Sequence, residues 1–331
     1  MIVISGAMDL AGLRARIDQL LERYLDAKRA RLGAGLEPVL EGAEALTRRG
    51  GKRQRPALVF AGHAAVAPIA DVDAMAEAAA AFELLQTYLL IQDDWMDQDD
   101  TRRGGPSVHA KLRQTFDRHT GDSVAILASD LASTDAWSML LNARFPADRV
   151  LEALRAFAAM NEEVVLGQYL DVVGSADVER VHLWKTAGYT VRWPVAIGAI
   201  LGGASADQRA ALEAWARPIG LAFQMRDDLL GTFGDPAVTG KPAGNDLLRK
   251  KETVVRARGR AMWPAIEALV ASGGVAPAIE ALERAGIKDA IEADIAALVA
   301  EAASALAAGT FRQEGLTALS TLAKALTARS T

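Results

Sequence analysis

The segment that decides the fold covers residues 71–97 and reads DVDAMAEAAAAFELLQTYLLIQDDWMD. Its Ala- and Leu-rich composition over so many residues favours a helix. Asp93 and Asp97 are four residues apart, so on a helix they lie on one face, in line with Gln86 and Leu89. The segment therefore predicts a helix whose inward face changes from apolar to anionic near its carboxyl end.

Helical patterns recur along the whole chain. An amphipathic stripe begins near the N-terminus, at Leu13, Ile17, Leu20 and Leu21. Further Ala- and Leu-rich segments lie near residues 121–142, 147–172, 206–232 and 279–308. Gly- and Pro-containing breakers lie between the segments, at 49–51, 104–106, 202–203 and 272–274. Because no series of short β-branched runs alternates with polar residues, we predict an all-α protein with residues 1–331 as a single domain.

The composition limits the classes of function. Of the 331 residues, 51% are hydrophobic and 24% are charged, as in globular proteins, which excludes a disordered or fibrous chain. The net charge of −5 argues against a nucleic-acid-binding protein with a broad basic face. The absence of cysteine excludes disulfides, Cys-based zinc sites and thiol nucleophiles.

The sequence predicts neither a membrane span nor a signal peptide. The most promising uncharged stretch, residues 193–206, would reach roughly 21 Å as a helix, against about 30 Å of hydrocarbon in a bilayer. The first residues, MIVISGAMDL, have neither a basic region nor a long apolar run. We therefore expect a cytoplasmic protein.

The first acidic cluster, DDWMDQDD at residues 93–100, is followed by Arg102 and Arg103. Neighbouring carboxylates repel each other unless a cation lies between them. Oxygen-only ligands favour Mg²⁺, which keeps several waters and shares its shell with substrate phosphates. The arginine forks suit phosphate oxygens. Taken alone, however, such a cluster is also typical of a solvated helix end.

A second carboxylate pair, Asp227 and Asp228, lies at the end of another apolar helical segment. It leads into a Gly- and Pro-rich loop whose Lys241 is a reasonable phosphate contact. The loop is not a P-loop, because its glycine spacing is one residue too long and Pro242 replaces the required Ser or Thr. The sequence therefore excludes a nucleotide site of that kind.

The third element is a cationic turn, GGKRQRP at residues 50–56. Alone it is typical of a surface loop. In combination with the two acidic pairs, the Arg102-Arg103 pair, Lys185-Thr186 and Lys241, it indicates two diphosphate sites. One site is bridged by metal ions, and the other is held directly by cationic side chains.

In order and approximate spacing, these motifs resemble those of the trans-isoprenyl diphosphate synthases, the head-to-tail polyprenyl synthetase family. Residues 89–109, LLIQDDWMDQDDTRRGGPSVH, resemble the first aspartate-rich motif of the family, and residues 223–244, FQMRDDLLGTFGDPAVTGKPAG, resemble the second. The other matches are GGKRQRP, GQYLD at 167–171 and Lys185-Thr186. The resemblance spans roughly residues 40–260 and implies one large helical bundle of the isoprenoid synthase type around a deep apolar cavity.

The resemblance also implies a metal site. In this family three Mg²⁺ ions, for which Mn²⁺ can substitute, bind the allylic diphosphate. The expected direct ligands are Asp93, Asp97 and Asp227. The carboxylates expected to support them or to act through water are Asp94, Asp171, Asp228 and Asp246.

The same resemblance assigns the substrate contacts. The side chains expected to hold the allylic diphosphate are Arg102, Lys185, Lys241 and Lys251. Those expected to bind isopentenyl diphosphate without metal are Lys52, Arg55, Gln86 and Arg103. Gln224 and the Lys185-Thr186 segment are expected to face the developing cation.

These assignments imply a Mg²⁺-dependent prenyltransferase. Metal ions and cationic side chains would stabilise the diphosphate as its carbon–oxygen bond breaks, and the double bond of isopentenyl diphosphate would attack the allylic cation. Two alternatives remain. A class I terpene synthase, a lyase, would share the fold and the carboxylates but needs no isopentenyl clamp. A catalytically silent subunit of a heteromeric synthase would typically lack one aspartate motif. The resemblance further implies a homodimer.

The expected product length depends on Tyr88. On a helix Tyr88 lies roughly 7.5 Å below Asp93 but is rotated by roughly 140°, so Leu89 is closer to the line beneath the metal site. An aromatic residue five positions before the first motif is similar to the family's C20 synthases. We therefore expect geranylgeranyl diphosphate as the main product, with farnesyl diphosphate as the alternative.

Gly231 departs from the family pattern, since many members have the last Asp of the second motif at this position. It lies four residues after Asp227 and would share its helix face. Because that Asp usually acts through water, we expect an active enzyme in which Gly231→Asp is tolerated.

Overall fold

The computed structural model describes residues 3–5, 8–235, 243–249, 251–307 and 309–328. These residues form helices almost throughout, which confirms the all-α prediction. The helices of the first half are α1 Leu10–Leu32, α2 Glu37–Arg48, α3 Gln54–Val66, α4 Val72–Met96, α5 Val108–Leu112, α6 Arg118–Leu141 and α7 Ala147–Val172. The later helices are α8 Val178–Val181, a π-helix His182–Arg192, α9 Trp193–Gly202, α10 Ala206–Phe233, α11 Asn245–Leu248, α12 Val254–Met262, α13 Ile266–Ala271, α14 Val275–Arg284, α15 Ile287–Ala307 and α16 Gln313–Thr327.

Four short strands, which the sequence did not predict, form two small antiparallel hairpins. They are β1 Val3–Ser5, β2 Met8–Asp9, β3 Thr101–Arg102 and β4 Gly105–Pro106. The β3–β4 hairpin contains the predicted breaker at residues 104–106, and Gly104 has the positive φ of 73° that its turn requires. This hairpin follows the first acidic cluster directly.

The chain divides into two compact units. Unit 1 comprises residues 1–157, 194–204 and 312–318, and unit 2 comprises residues 158–193, 205–311 and 319–331. The chain passes from unit 1 to unit 2 for the first time within α7. The single domain expected over residues 1–331 stays a prediction.

Unit 1 is built around α4. This helix is apolar on nearly all sides, as expected for a helix at the centre of a core, and it packs against α1, α2, α3 and α6. The fully buried Phe82 contacts Phe157 edge to face, with ring centroids 5.6 Å apart, and Trp137 contacts Phe157 in the same way at 4.9 Å. The core of unit 1 therefore fixes the helix that carries the first acidic cluster.

Two helices of unit 1 meet the length and hydropathy criteria for a membrane span, although the sequence predicted none. They are α4 and α6, whose apolar windows are 72% and 44% buried in the protein. A buried core helix of a globular protein meets the same criteria, and α4 and α6 pack against each other. Length and composition therefore do not distinguish them from core helices.

In unit 2, α10 packs against α15 and the π-helix. A capping box between Ser205 and Gln208 begins α10. The single helix expected near residues 279–308 is instead two helices, α14 and α15, because the chain turns at Gly286 with a φ of 71°. The interior of the unit contains Leu229, Val255, Ile291 and Ile295.

A buried ion pair joins α1 to α6 in unit 1. Lys28 is 7% exposed and Asp135 is 5% exposed, and their side chains are in direct contact. The Tyr24 hydroxyl also donates to Asp135 at 3.0 Å. Burial and the Asp135 charge raise the pKa of Tyr24, so the phenol stays protonated and acts as a donor.

We expect Lys28→Met to lower the free energy of unfolding by about 3–5 kcal/mol, because the Asp135 carboxylate would remain buried without its cation. Urea denaturation measures this change. The double substitution Lys28→Met/Asp135→Leu should recover most of the loss, since an apolar pair of similar volume avoids the desolvation cost. A single variant that unfolds at the wild-type urea concentration would contradict the stabilising role.

Candidate active site

The first acidic cluster lies at the carboxyl end of α4. Asp97 is the residue after the last helical residue, and its N–H donates to the Asp93 carbonyl at 2.8 Å. The predicted helical spacing of the two aspartates is therefore confirmed. Negative side chains are unfavourable at this end of a helix, where the backbone dipole is also negative. The position thus favours a cation.

Arg102 supplies that cation from β3. Its Nε donates to Asp94 Oδ1 at 2.6 Å, and a terminal nitrogen reaches Asp93 Oδ2 at 3.3 Å and Asp99 Oδ2 at 3.8 Å. Asp94 is fully buried, and burial outweighs Arg102 to raise the pKa of Asp94 to about 6. Asp94 Oδ2 is buried and accepts no hydrogen bond within the described part of the chain. The carboxylates therefore have capacity for a further cation.

The donor set fits Mg²⁺, because every group in the cluster is a carboxylate oxygen. Within the described residues, no group of three or more His, Asp or Glu side chains is already arranged around a single point. A metal ion held here would therefore complete its shell with water or phosphate oxygens, as Mg²⁺ commonly does. The residues present are compatible with the expected ion.

The cationic turn between α2 and α3 is also in unit 1. Lys52 is exposed, whereas Arg55 is buried at the start of α3. The Arg103 guanidinium lies at the same turn, where it donates to the Leu46 carbonyl at 2.9 Å and to the Gly50 carbonyl. Burial lowers the pKa of Arg103, the Glu83 charge opposes this effect, and the neighbouring arginines add to it. Three of the predicted isopentenyl diphosphate contacts are thus grouped around one turn.

Gln86, the fourth predicted contact of that substrate, lies half-buried on α4. Tyr88 and Leu89 are half-buried on the same helix. Tyr88 packs against a cluster formed by α2, α4, α5 and α6, which includes Leu46, Val108 and Ala128. Burial, with a contribution from the charge of Asp130, raises the pKa of Tyr88, so its phenol is neutral.

In unit 2, the GQYLD segment of α7 meets the π-helix. A Cβ at Gly167 would lie 2.4 Å from the backbone nitrogen of Lys185, so only glycine permits this approach. One turn later, Asp171 forms an ion pair with Lys185. The half-buried Thr186 follows on the π-helix. Two motifs that are distant in the sequence are thereby brought together.

The second carboxylate pair lies near the carboxyl end of α10. Asp227 is half-buried, whereas Asp228 is buried and accepts hydrogen bonds of 2.9 Å from the Val254 N–H and from Gln224 Nε2. Burial raises the pKa of Asp228 to about 7. His182 Nε2 lies 3.5 Å from Asp228, and burial lowers the pKa of this imidazole to about 4, so His182 is neutral.

The space beside Gly231 is occupied by another side chain of the site. A Cβ at Gly231 would lie 1.9 Å from Asp246 Oδ2, because the Asp246 carboxylate, from α11, occupies the space where a side chain at 231 would begin. Gly231→Asp therefore requires the Asp246 carboxylate to move, and the tolerance of this substitution stays a prediction. Asp246 thus places a carboxylate on the α10 face of Asp227, one turn further along the helix.

The predicted residues are distributed over both units. Unit 1 holds Lys52, Arg55, Gln86, Asp93, Asp94, Asp97, Arg102 and Arg103, and unit 2 holds Asp171, Lys185, Thr186, Gln224, Asp227, Asp228, Asp246 and Lys251. The Lys251 N–H donates to the Asp246 carbonyl at 3.0 Å, and the Lys251 charge acts on Asp228. Lys241 lies outside the described residues.

Sequence reasoning missed three residues at these sites: Arg53, Glu83 and His182. The structure places Arg53 and Glu83 beneath the cationic turn as a buried ion pair. One signal was available, because Glu83 is a lone carboxylate in an apolar run, one helical turn before Gln86. His182 had no such signal, since its partner Asp228 is 46 positions away in the sequence.

Comparisons with known proteins show the family to which the chain belongs. The family model described as polyprenyl synthetase matches residues 37–266. A short chain isoprenyl diphosphate synthase of Methanothermobacter thermautotrophicus is 36% identical over 264 residues, covering 76% of this chain and 78% of the relative. A (2E,6E)-farnesyl diphosphate synthase of Mycobacterium tuberculosis is 40% identical over 210 residues, covering 62% of this chain and 55% of the relative.

The chain is also similar to a solved crystal structure of this kind of enzyme. The geranylgeranyl pyrophosphate synthase of Corynebacterium glutamicum, complexed with isoprenyl diphosphate and magnesium, is 32% identical, with a TM-score of 0.89. The match covers 98% of this chain and 100% of that structure. The chain belongs to the polyprenyl synthetase family, the trans-isoprenyl diphosphate synthases, which are transferases and are generally Mg²⁺-dependent.

Proposed function

We propose that this protein condenses isopentenyl diphosphate with an allylic diphosphate to give a short-chain all-trans prenyl diphosphate. One observation carries the proposal. Arg102 and Arg103 are consecutive, yet Arg102 contacts the acidic cluster and Arg103 contacts the cationic turn. The left-handed backbone of Arg103, with a φ of 52°, is part of this divergence. Two anion-binding arrangements, one needing metal and one not, therefore lie side by side in unit 1.

We assign the allylic diphosphate to the acidic motifs. Asp93, Asp97 and Asp227 would hold three Mg²⁺ ions, supported by Asp94, Asp171, Asp228 and Asp246. The ions supply positive charge to the leaving diphosphate when they are bound. Arg102, Lys185, Lys241 and Lys251 would bind the same diphosphate. In this proposal Arg102 and Lys185 exchange part of their present carboxylate contacts for phosphate oxygens.

We assign isopentenyl diphosphate to Lys52, Arg55, Arg103 and Gln86. Held there, its double bond attacks the allylic carbon as the carbon–oxygen bond breaks, and Gln224 and Thr186 face the positive charge that develops. The departing diphosphate accepts the proton lost from the condensation product. An apolar surround excludes water, which would otherwise capture the allylic cation.

The two alternatives have less support. A terpene synthase acting on one substrate has no use for the crowded cations of the turn at residues 50–56. A silent subunit would typically lack an aspartate motif, whereas both pairs are present and Asp228 is held by two hydrogen bonds.

We further propose geranylgeranyl diphosphate as the main product, with farnesyl diphosphate as the alternative. Relatives of both product lengths are similar to the chain, since the geranylgeranyl pyrophosphate synthase of Corynebacterium glutamicum is 32% identical and the farnesyl diphosphate synthase of Mycobacterium tuberculosis is 40% identical. Tyr88, the residue five positions before the first motif, is half-buried and packs against the cluster formed by α2, α4, α5 and α6. In this proposal its ring stops the growing chain.

A homodimer is the proposed assembly. α6 is apolar, yet Leu127 is 58% exposed and Leu141 is 61% exposed, and the two lie near one face four turns apart. A second copy of the chain would cover this face, and sedimentation velocity would measure the state. The cytoplasmic location stays a prediction.

The direct test incubates purified protein with isopentenyl diphosphate, Mg²⁺ and each of the C5, C10 and C15 allylic diphosphates. Products are then sized by chromatography, with EDTA added to parallel reactions. We expect linear products longer by five carbons per condensation and no turnover in EDTA. A cyclic product from an allylic diphosphate alone would support the terpene synthase instead, and an inactive pure protein would support the silent subunit.

We expect Asp93→Ala and Asp227→Ala each to lower kcat by several orders of magnitude, because each removes a metal ligand used most strongly as charge develops on the leaving group. Circular dichroism should show an intact fold. Asp100→Ala is the matched control, since this aspartate of the same acidic run has a side chain that is 79% exposed. Near-normal activity of Asp93→Ala in saturating Mg²⁺ would contradict the metal assignment.

Gly231→Ala should lower activity about as much as Asp246→Ala, because a side chain at 231 displaces the Asp246 carboxylate. Gly231→Asp/Asp246→Ala should recover part of the lost activity, because the new carboxylate on α10 replaces the one removed from α11. Steady-state kinetics over a range of Mg²⁺ concentrations measures the coupling. Simply additive effects of the two single substitutions would mean that the residues do not share the space.

Tyr88→Ala should shift the products to longer chains, because it removes the ring proposed to stop elongation. Product sizing by chromatography measures the shift. Phe116→Ala is the control, since it removes an aromatic ring from the same cluster but from outside α4. If Tyr88→Ala retains the wild-type product length, another residue sets the stop.

A further inference from the structure

A buried ion pair lies beneath the cationic turn of unit 1. Arg53 is 3% exposed and Glu83, on α4, is 2% exposed, and their side chains are in direct contact. Arg53 Nε also donates to Asp18 Oδ1 at 2.7 Å, and a terminal nitrogen donates to the Thr47 carbonyl at 3.0 Å. The Arg53 guanidinium is thus held by residues of three helices, α1, α2 and α4.

This pair controls the backbone of the turn. Arg53 has a φ of 50°, in the left-handed region that non-glycine residues rarely adopt, and it immediately precedes α3. Arg53 is turned inward, Lys52 before it is exposed, and Arg55, the second residue of α3, is buried. The contacts of Arg53 therefore determine where these two cations lie.

Glu83 is also linked to the other two proposed contacts of isopentenyl diphosphate. Its negative charge acts on Arg103, counteracting the effect of the neighbouring arginines. Gln86 lies one turn further along α4. The hydroxyl of Thr87, the next residue, donates to the Glu83 carbonyl at 3.1 Å and contacts the Thr47 hydroxyl at 2.6 Å. α4 is in this way connected to the end of α2, just before the turn.

Charge balance distinguishes Glu83 from an ordinary buried residue. Four cationic side chains are grouped at the turn: Lys52, Arg53, Arg55 and Arg103. Like charges this close together repel each other. Asp18 contacts Arg53 from the outer side and is partly exposed, with 37% of its side chain accessible. Glu83 is the buried carboxylate that offsets the repulsion while the diphosphate site is empty.

We propose that Glu83 is a positioning residue for isopentenyl diphosphate, which fixes Lys52, Arg55, Arg103 and Gln86 in place through its ion pair with Arg53. The proposal rests on the proposed function. Glu83 does not itself contact the substrate, because it is buried and a carboxylate would repel a diphosphate. Glu83 therefore affects the affinity for isopentenyl diphosphate and not that for the allylic diphosphate.

The test measures binding of isopentenyl diphosphate alone by isothermal titration calorimetry, where no reaction can occur. We expect Glu83→Gln to raise the Kd for isopentenyl diphosphate about tenfold or more. The reference substitution Lys52→Ala is expected to have an effect of the same size. The KM for the allylic diphosphate should change by less than about twofold, since its proposed contacts lie elsewhere. Asp18→Asn, which removes only the outer contact, should raise the Kd by about two- to fivefold.

A second variant separates positioning from stability. Glu83→Leu/Arg53→Met removes both buried charges, which commonly preserves or increases stability. Under the proposal, this variant melts near the wild-type temperature but keeps the raised Kd. Asp135→Asn is the matched control, because it breaks another buried ion pair of unit 1 and should lower the melting temperature without changing the Kd.

Two results would overturn the proposal. One is a wild-type Kd in the folded double variant, and the other is an equal rise in the Kd for isopentenyl diphosphate and in the KM for the allylic substrate. Failure of the proposed function is distinguishable, because the wild-type protein would then neither bind isopentenyl diphosphate nor elongate an allylic diphosphate.

Discussion

Repulsion between like charges that lie close together and partly buried is the constraint on which the rest of this structure depends. Asp93, Asp94 and Asp97 lie together at the carboxyl end of α4, where the helix dipole adds to their repulsion. Arg102 offsets it at the acidic cluster, and Glu83 has the inverse role among the cations of the adjacent turn. Each group of charges thus contains at least one residue of opposite sign that allows the others to remain close together.

This arrangement explains why two adjacent groups of charged side chains require so large a core. Asp94 and Glu83 are buried carboxylates, and each tolerates burial only because an arginine contacts it. Arg53 has a left-handed backbone and donates to the Thr47 carbonyl. Arg102 is followed directly by Arg103, which also has a left-handed backbone and donates to the Leu46 carbonyl. Both carboxylates lie on α4, and because this apolar helix is buried in the core, it fixes their positions relative to each other.

Unit 2 places its site residues by close backbone approach rather than by charge alone. Gly167 allows α7 to touch the backbone of Lys185, so that Asp171 can pair with the lysine side chain. Gly231 leaves a space on α10 that the Asp246 carboxylate enters from α11. In both cases the absence of a side chain matters more than the chemistry of the residue. Such residues are recognisable as motif positions, but their function depends on what lies opposite them.

The sequence by itself determined the helical class, the approximate limits of the long helices α4, α6, α7 and α10, and the two acidic pairs, because helix periodicity and i, i+4 spacing are local properties. The split at Gly286 was missed, since an Ala-rich pattern continues through it. Only the tertiary structure decided that Arg102 and Arg103 diverge, that Asp246 fills the space at Gly231, and that Glu83 contacts Arg53. These contacts join residues that are 8 to 57 positions apart and lie on separate elements. A pairing across elements depends on packing, which no local pattern encodes.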